Sequence, residues 1–241
     1  MRIVLKTLSI LLMSIMLSGQ VSDLEVSGEI KADSLDVQSG LIRNVADPIS
    51  AQDAATKAYV DGEISSLPTI TTYSVGDFAQ GGIVFWVDET GQHGLVCAKS
   101  DQSSGIRWYA GTFGNTQAKG DGTYSGEANT AIIIAAQVVI GDDGGTYAAR
   151  ICNELQITEG GTTYGDWFLP SKYELYLMYD NKATIDAAAL ANGGVGFAAA
   201  CYWSSTENDL SLVAWSQNFF NGFQFNVDKD SGNFVRAVRA F

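Results

Sequence analysis

Aromatic residues divide this chain into two unlike parts. Between residues 21 and 77 only Tyr59 and Tyr73 occur, and from Phe78 onward Phe, Tyr and Trp are dense. A stretch nearly without aromatic side chains has less to bury, so the first part is expected to be thin. The second is long enough, at about 160 residues, for an independent core.

The first 20 residues, MRIVLKTLSILLMSIMLSGQ, carry Arg2 and Lys6, then an apolar run, then Ser18 and Gly19. This order reads as a secretory signal peptide over 1–20. The run is shorter than the roughly 20 residues a spanning helix needs, so no transmembrane segment is expected. Secretion or display at the cell surface follows. The net charge of −13 argues against nucleic acid as a partner. Three cysteines, Cys97, Cys152 and Cys201, allow one disulfide at most and leave an odd thiol.

In the thin part, expected over 21–75, LEVSGEI (24–30) is echoed by LDVQSGLI (35–42), two short strands that need a neighbour to cover them. Ser50, with Asp53 three residues later, reads as a helix start. Val60, Ile64 and Leu67 make one short coiled-coil seam. The stretch 44–61 resembles a segment that links shaft to knob in phage tail fibres, and the resemblance implies a homotrimer.

In the part from residue 76 to 241, GGIVFWVDETGQHGLVCA (81–98) predicts two strands around a turn. AIIIAAQVV and TYAARICNEL predict helical stretches separated by GDDGG (141–145), with Cys152 facing the core. Ser171 and Glu174 form a capping box opening a helix that turns Leu175 and Met178 inward. Residues 183–200 read as loose, and CYWSSTE, AWSQNFF, GFQFNV and NFVRAVRAF as four strands. Helices in the middle with strands on either side give an α+β class with an antiparallel sheet.

Asn221-Gly222 between alternating runs predicts a two-residue hairpin pairing Phe220 with Phe223, Asn218 with Phe225 and Ser216 with Val227. These six share one face; Trp215, Gln217, Phe219, Gln224 and Asn226 share the other. Hydrophobicity alone would make the first face the core.

Taken in order, GGIVFWVDETGQHGLV, Asn129-Thr130, AARICNEL, DWFLPSKYELYLMY, YWSSTE, AWSQNF, Asn221-Gly222 and VRAVRAF resemble the Lcl C-terminal domain family, the C-type-lectin-like end of a bacterial collagen-like adhesin. The resemblance implies two helices on small antiparallel sheets with the first and last strands adjacent. It places Trp203, Trp215, Gln217, Phe219, Gly222 and Gln224 on framework positions. Ser216, Asn218, Phe220, Phe223, Phe225 and Val227 fall on free, ligand-facing ones, with Asn208 and Asp230 as neighbours. It thereby reverses the choice of core face. The expected function is adhesin-like recognition of a protein or glycan on another cell or matrix. The alternatives are a structural fibre tip without a ligand, or a catalyst like the formylglycine-generating enzyme.

No catalytic set is expected. His93 is the only histidine and lies in a polar turn, which leaves neither a zinc site nor a Ser-His pair. No cofactor is expected; the alternative is calcium, at DKDSGN (228–233) through Asp228 and Asp230, or at Asp142-Asp143. Arg236 and Arg239 are expected to pair with carboxylates such as Glu174 or Glu207.

Overall fold

The computed structural model describes residues 44–50 and 54–241. The leader, the 24–42 repeat and the cap at Asp53 lie outside the described residues. The chain divides into two compact units, Met1–Pro68 and Thr69–Phe241.

In the first unit one helix is described, α1 (Lys57–Ser66). It starts at Lys57 rather than near Ser50, because the Thr56 hydroxyl accepts from Tyr59 N at 3.1 Å and caps it there. Leu67 is extended, not helical, as expected for a residue before a proline. The seam therefore keeps only Val60 and Ile64 on the helix. Both are exposed, as is Leu67.

The second unit begins with β1 (Phe78–Ala79), β2 (Gly82–Val87), β3 (Gly94–Cys97) and β4 (Ser103–Ile106). Two helices follow, α2 (Ser125–Ile140) and α3 (Ala148–Asn153), then a hairpin of β5 (Ile157–Glu159) and β6 (Thr162–Tyr164). Next come α4 (Lys172–Asp180) and α5 (Lys182–Ala191). The chain closes with β7 (Cys201–Glu207), β8 (Val213–Asn218), β9 (Gln224–Asp228), β10 (Asn233–Val235) and β11 (Val238–Ala240). The class is α+β.

One sheet has the order β1-β2-β3-β11, so the last strand pairs with β3 and the first strand lies at the opposite edge. The expected adjacency of first and last strands is not found. Successive residues of β2 and β3 point into different cores. Val84 and Val96 enter a cluster with Trp108, Ile133, Cys152 and Trp203. Ile83, Phe85, Leu95 and Cys97 enter another with Leu175, Met178, Ile185 and Phe219. Burial on both faces explains why these strands are apolar without a polar alternation. Trp108, Trp167 and Trp203 are fully buried, and each indole N–H donates to a backbone carbonyl: Ser204 O at 2.7 Å, Tyr164 O at 3.0 Å and Ile106 O at 2.7 Å. Their polar edges are satisfied, so their full apolar area favours the fold.

The other large sheet has the order β4-β10-β7-β8-β9. It is not wholly antiparallel, because β10 runs parallel to β7 through Phe234 and Tyr202. NFVRAVRAF is two strands, not one. Between them Ala237 N donates to Gln102 Oε1 at 2.6 Å, and Ala237 O accepts from Ala98 N at 2.9 Å. These bonds carry the chain from one sheet to the other. The stretch read as loose holds α5, whose Ile185 and Ala189 are buried on the second cluster. There tertiary burial outweighs a weak pattern. The capping box at Ser171 and Glu174 is present, with Leu175 and Met178 buried.

Candidate binding face

The β8–β9 ribbon carries most of the candidate residues. Its ladder pairs Ala214 with Val227, Ser216 with Phe225 and Gln217 with Gln224. Asn218 N donates to Phe223 O at 2.9 Å and Gly222 N to Asn218 O at 2.8 Å. The loop is therefore four residues, Phe219–Gly222, rather than two. The cause is Phe219, which is only 2% exposed, stacks on Phe197 at 4.3 Å and meets the Tyr202 ring at a tilt, 4.6 Å between centres. Its burial draws the strand end out of the ladder. The register differs from expectation by two residues, an even shift that leaves the same side chains together on each face.

The framework side is fixed to the body. Gln217 is buried, and its Nε2 donates to Gly222 O at 2.7 Å. Gln224 Nε2 donates to Lys172 O at 2.8 Å, and the Lys172 ammonium lies 4.5 Å from the Trp215 ring centre. Gly222 has φ +80°, and a Cβ there would come within 2.6 Å of the Tyr179 ring. That is a position for glycine alone.

The opposite side is exposed at the tip. Phe220 is 76%, Phe223 70% and Phe225 38% exposed. The remaining candidates do not join them. Ser216 is buried, its Oγ donating to Tyr202 O at 2.9 Å and accepting from Asn233 Nδ2 at 3.3 Å. Ser216 leaves the ligand-facing set because β8 is an inner strand, covered at mid-length. Val227 packs on the first core cluster. Asn218 is half-buried, and its Oδ1 accepts from Phe220 N at 2.8 Å. Asn208 and Asp230 lie beyond the Val213–Asp228 pair at the other end of the ribbon. Five residues of strand, about 17 Å, separate that end from the tip.

Beside the tip lies a groove of about 580 Å³, lined by Tyr179, Asp180, Asp186, Phe197, Phe219 and Phe220 among others. Asp186 accepts from Phe197 N at 2.6 Å and pairs with Lys182. Sequence reasoning missed this groove because its walls come from α4, α5, the 197–199 loop and the ribbon tip, four places far apart in the chain.

The root of the ribbon holds a buried ion pair that the sequence did not disclose. Lys229 and Glu207 are both fully buried and in contact. Lys229 also donates to Gly114 O at 2.8 Å and Ser211 O at 2.7 Å, and stands 4.7 Å from the Trp108 ring centre. Glu207 accepts from Thr116 N, at 2.9 Å to its nearer oxygen, and from Gln117 N at 2.8 Å. Burial pulls the Lys229 ammonium below its ordinary range, opposed by Glu207. Glu207 is thus taken by a lysine and not by an arginine. Arg236 pairs with Asp101 at 2.7 Å, and Arg239 donates to Gly165 O at 3.0 Å. Among the described residues no cation pairs with Glu174: burial pushes its carboxyl up to about 7, opposed by N–H groups of Ser171, Gly126 and Tyr124.

The other chemistry-bearing residues stand apart. All three cysteines are free thiols. Burial raises the Cys97 thiol to about 12 and also raises Cys152. His93 is exposed in the β2–β3 turn. Asp143 is held at about 2 by Arg107 and then Gly145 N–H. Asp142 pairs with Arg150, and Asp228 and Asp230 are exposed on either side of buried Lys229. Among the described residues no group of three or more His, Cys, Asp and Glu side chains is placed to hold a metal ion. Among them, too, no helix is long and apolar enough to cross a membrane.

The chain matches no curated protein. Residues 98–239, from the end of β3 to β11, match the Lcl C-terminal domain. The chain belongs to the Lcl C-terminal domain family, a placement that fits a secreted or surface-associated bacterial protein.

Proposed function

We propose that this is an exported, adhesin-like binding protein whose second unit recognises a protein or glycan through the tip of the β8–β9 ribbon. One observation carries the reading: Phe220 and Phe223 stand 76% and 70% exposed on a tip whose geometry is fixed from behind. Exposed rings on a fixed support lose little conformational freedom on binding, and they can stack on sugar faces or fill apolar pockets. The groove beside Phe220 gives a ligand a second wall.

Recognition in this reading is non-covalent. A cysteine nucleophile needs a depressed pKa, whereas burial raises both Cys97 and Cys152. The exposed Val60, Ile64 and Leu67 support a stalk that associates with other copies as a homotrimer. The test is binding of the full chain to a glycan array and to whole cells, wild type against Phe220→Ser/Phe223→Ser. A loss of signal of at least about tenfold, with an unchanged circular dichroism spectrum, is expected for two anchor residues. Equal binding by both proteins, or binding by neither, would overturn the assignment.

A further inference from the structure

Helix α2 is built inside out. Its buried side includes Asn129, Thr130 and Gln137, and each makes a hydrogen bond into the fold, Gln137 through its Oε1 alone, its Nε2 being buried without a partner among the described residues. Asn129 Nδ2 donates to Gly120 O at 2.8 Å, Leu169 N donates to Thr130 Oγ1 at 3.0 Å, and Ala110 N donates to Gln137 Oε1 at 2.9 Å. Its outer side is apolar: Ala128, Ala131, Ile132, Ala135, Val138 and Val139 are all exposed, Val138 at 66% and Val139 at 88%. Glu127, in the first turn, is the only charged residue of the helix. The surface continues past its end. A Cβ on Gly114 would touch Ile140, and next to Gly114 the half-exposed Phe113 stacks on Tyr109 at 4.6 Å. A helix that is apolar on its outer face is a helix with something to cover.

We propose that this face packs against α2 of a second copy of the chain. Three observations choose that occupant. Ala128, Ile132, Ala135 and Val139 recur at intervals of 4, 3 and 4, the spacing of a helix–helix seam. The face is self-complementary: in an antiparallel pair centred on Ala135, Val139 meets Ala131 and Val138 meets Ile132, while the alanines let the backbones approach. The electrostatics agree as well. A chain of net charge −13 repels its own copies, and an uncharged face is where two can meet. Antiparallel pairing keeps the two Glu127 carboxylates at opposite ends of a helix about 24 Å long. This contact is separate from the ribbon tip and from α1, so it stands or falls independently of both.

The experiment uses the full chain. Sedimentation velocity at tens of micromolar compares wild type with Val138→Asp, and Ala135→Cys is treated with a mild oxidant beside wild type and Thr158→Cys. The expected results are a fall in mass by about half for Val138→Asp, as for loss of a two-fold contact, and a covalent dimer for Ala135→Cys alone. Val138 is exposed, and an unchanged circular dichroism spectrum for its variant certifies folding. Unchanged mass for Val138→Asp together with no cross-link above the two controls overturns the proposal. So does binding of wild type, but not Val138→Asp, to phosphatidylcholine vesicles without self-association, which would give the face to a lipid surface.

Discussion

The two ends of the β8–β9 ribbon are about 17 Å apart and are held by opposite physics. At the root, two charges are removed from water and fixed by each other and by backbone groups around Lys229 and Glu207. At the tip, apolar rings are left in water while the backbone beneath them is anchored through Phe219, Gln217 and Gln224. Desolvated charges tolerate one geometry, because any displacement leaves an unpaired charge in a medium that cannot solvate it. Exposed rings impose no such demand on the fold. The root gives the ribbon its position, and the tip is free to serve something outside the molecule.

The contrast is broken most severely at the root. Lys229→Met is expected to cost about 3–5 kcal/mol of stability, since Glu207 is left buried without its cation. Adding Glu207→Leu should recover much of that loss in urea unfolding. Additive losses would mean that the pair's bonds to Gly114 and Thr116, not its charges, matter most. Phe219→Ala, which empties the stacked site behind the tip, should cost about 3–4 kcal/mol in the same measurement.

Glu174 sharpens the contrast, as a buried carboxyl with no cation beside it among the described residues. Its folded pKa, about 7, lies above the ordinary 4.5. The folded state therefore holds the proton more tightly than the unfolded state between those values, and stability falls as pH rises through that window. The loss is on the order of 3 kcal/mol and is complete above pH 7. Glu174→Gln should flatten the profile of unfolding free energy from pH 4.5 to 7. Parallel profiles for the two proteins would count against the assignment. The smallest effect belongs to the tip. Phe223→Ser should change stability by less than about 0.5 kcal/mol, and a larger loss would show that the ring supports the fold.

Several elements were legible in the sequence because their signals are local. The capping box at Ser171 and Glu174, the inward Leu175 and Met178, the paired strands around GQHG and the buried Cys152 all follow from spacing within a few residues. The shared faces of the ribbon were legible for the same reason. Its loop length was not, because Phe197 and Tyr202 capture Phe219 from elsewhere in the fold. Of the candidate site, the rings at 220, 223 and 225 are exposed, while Ser216 and Val227 do not stand beside them. A pattern of period two assigns a face; which part of that face is covered depends on the neighbouring strands and helices.

The sequence by itself determined which side chains travel together along each strand and helix, the start of α4 at its capping box, and the family. Those follow from covalent spacing and short-range sterics. Only the tertiary structure decided that Lys229 and Glu207 meet in the interior, that the Glu174 carboxyl is buried, and that α2 turns its polar residues inward. Each of those outcomes depends on desolvation, and desolvation is set by what packs around a residue, not by its neighbours in the chain.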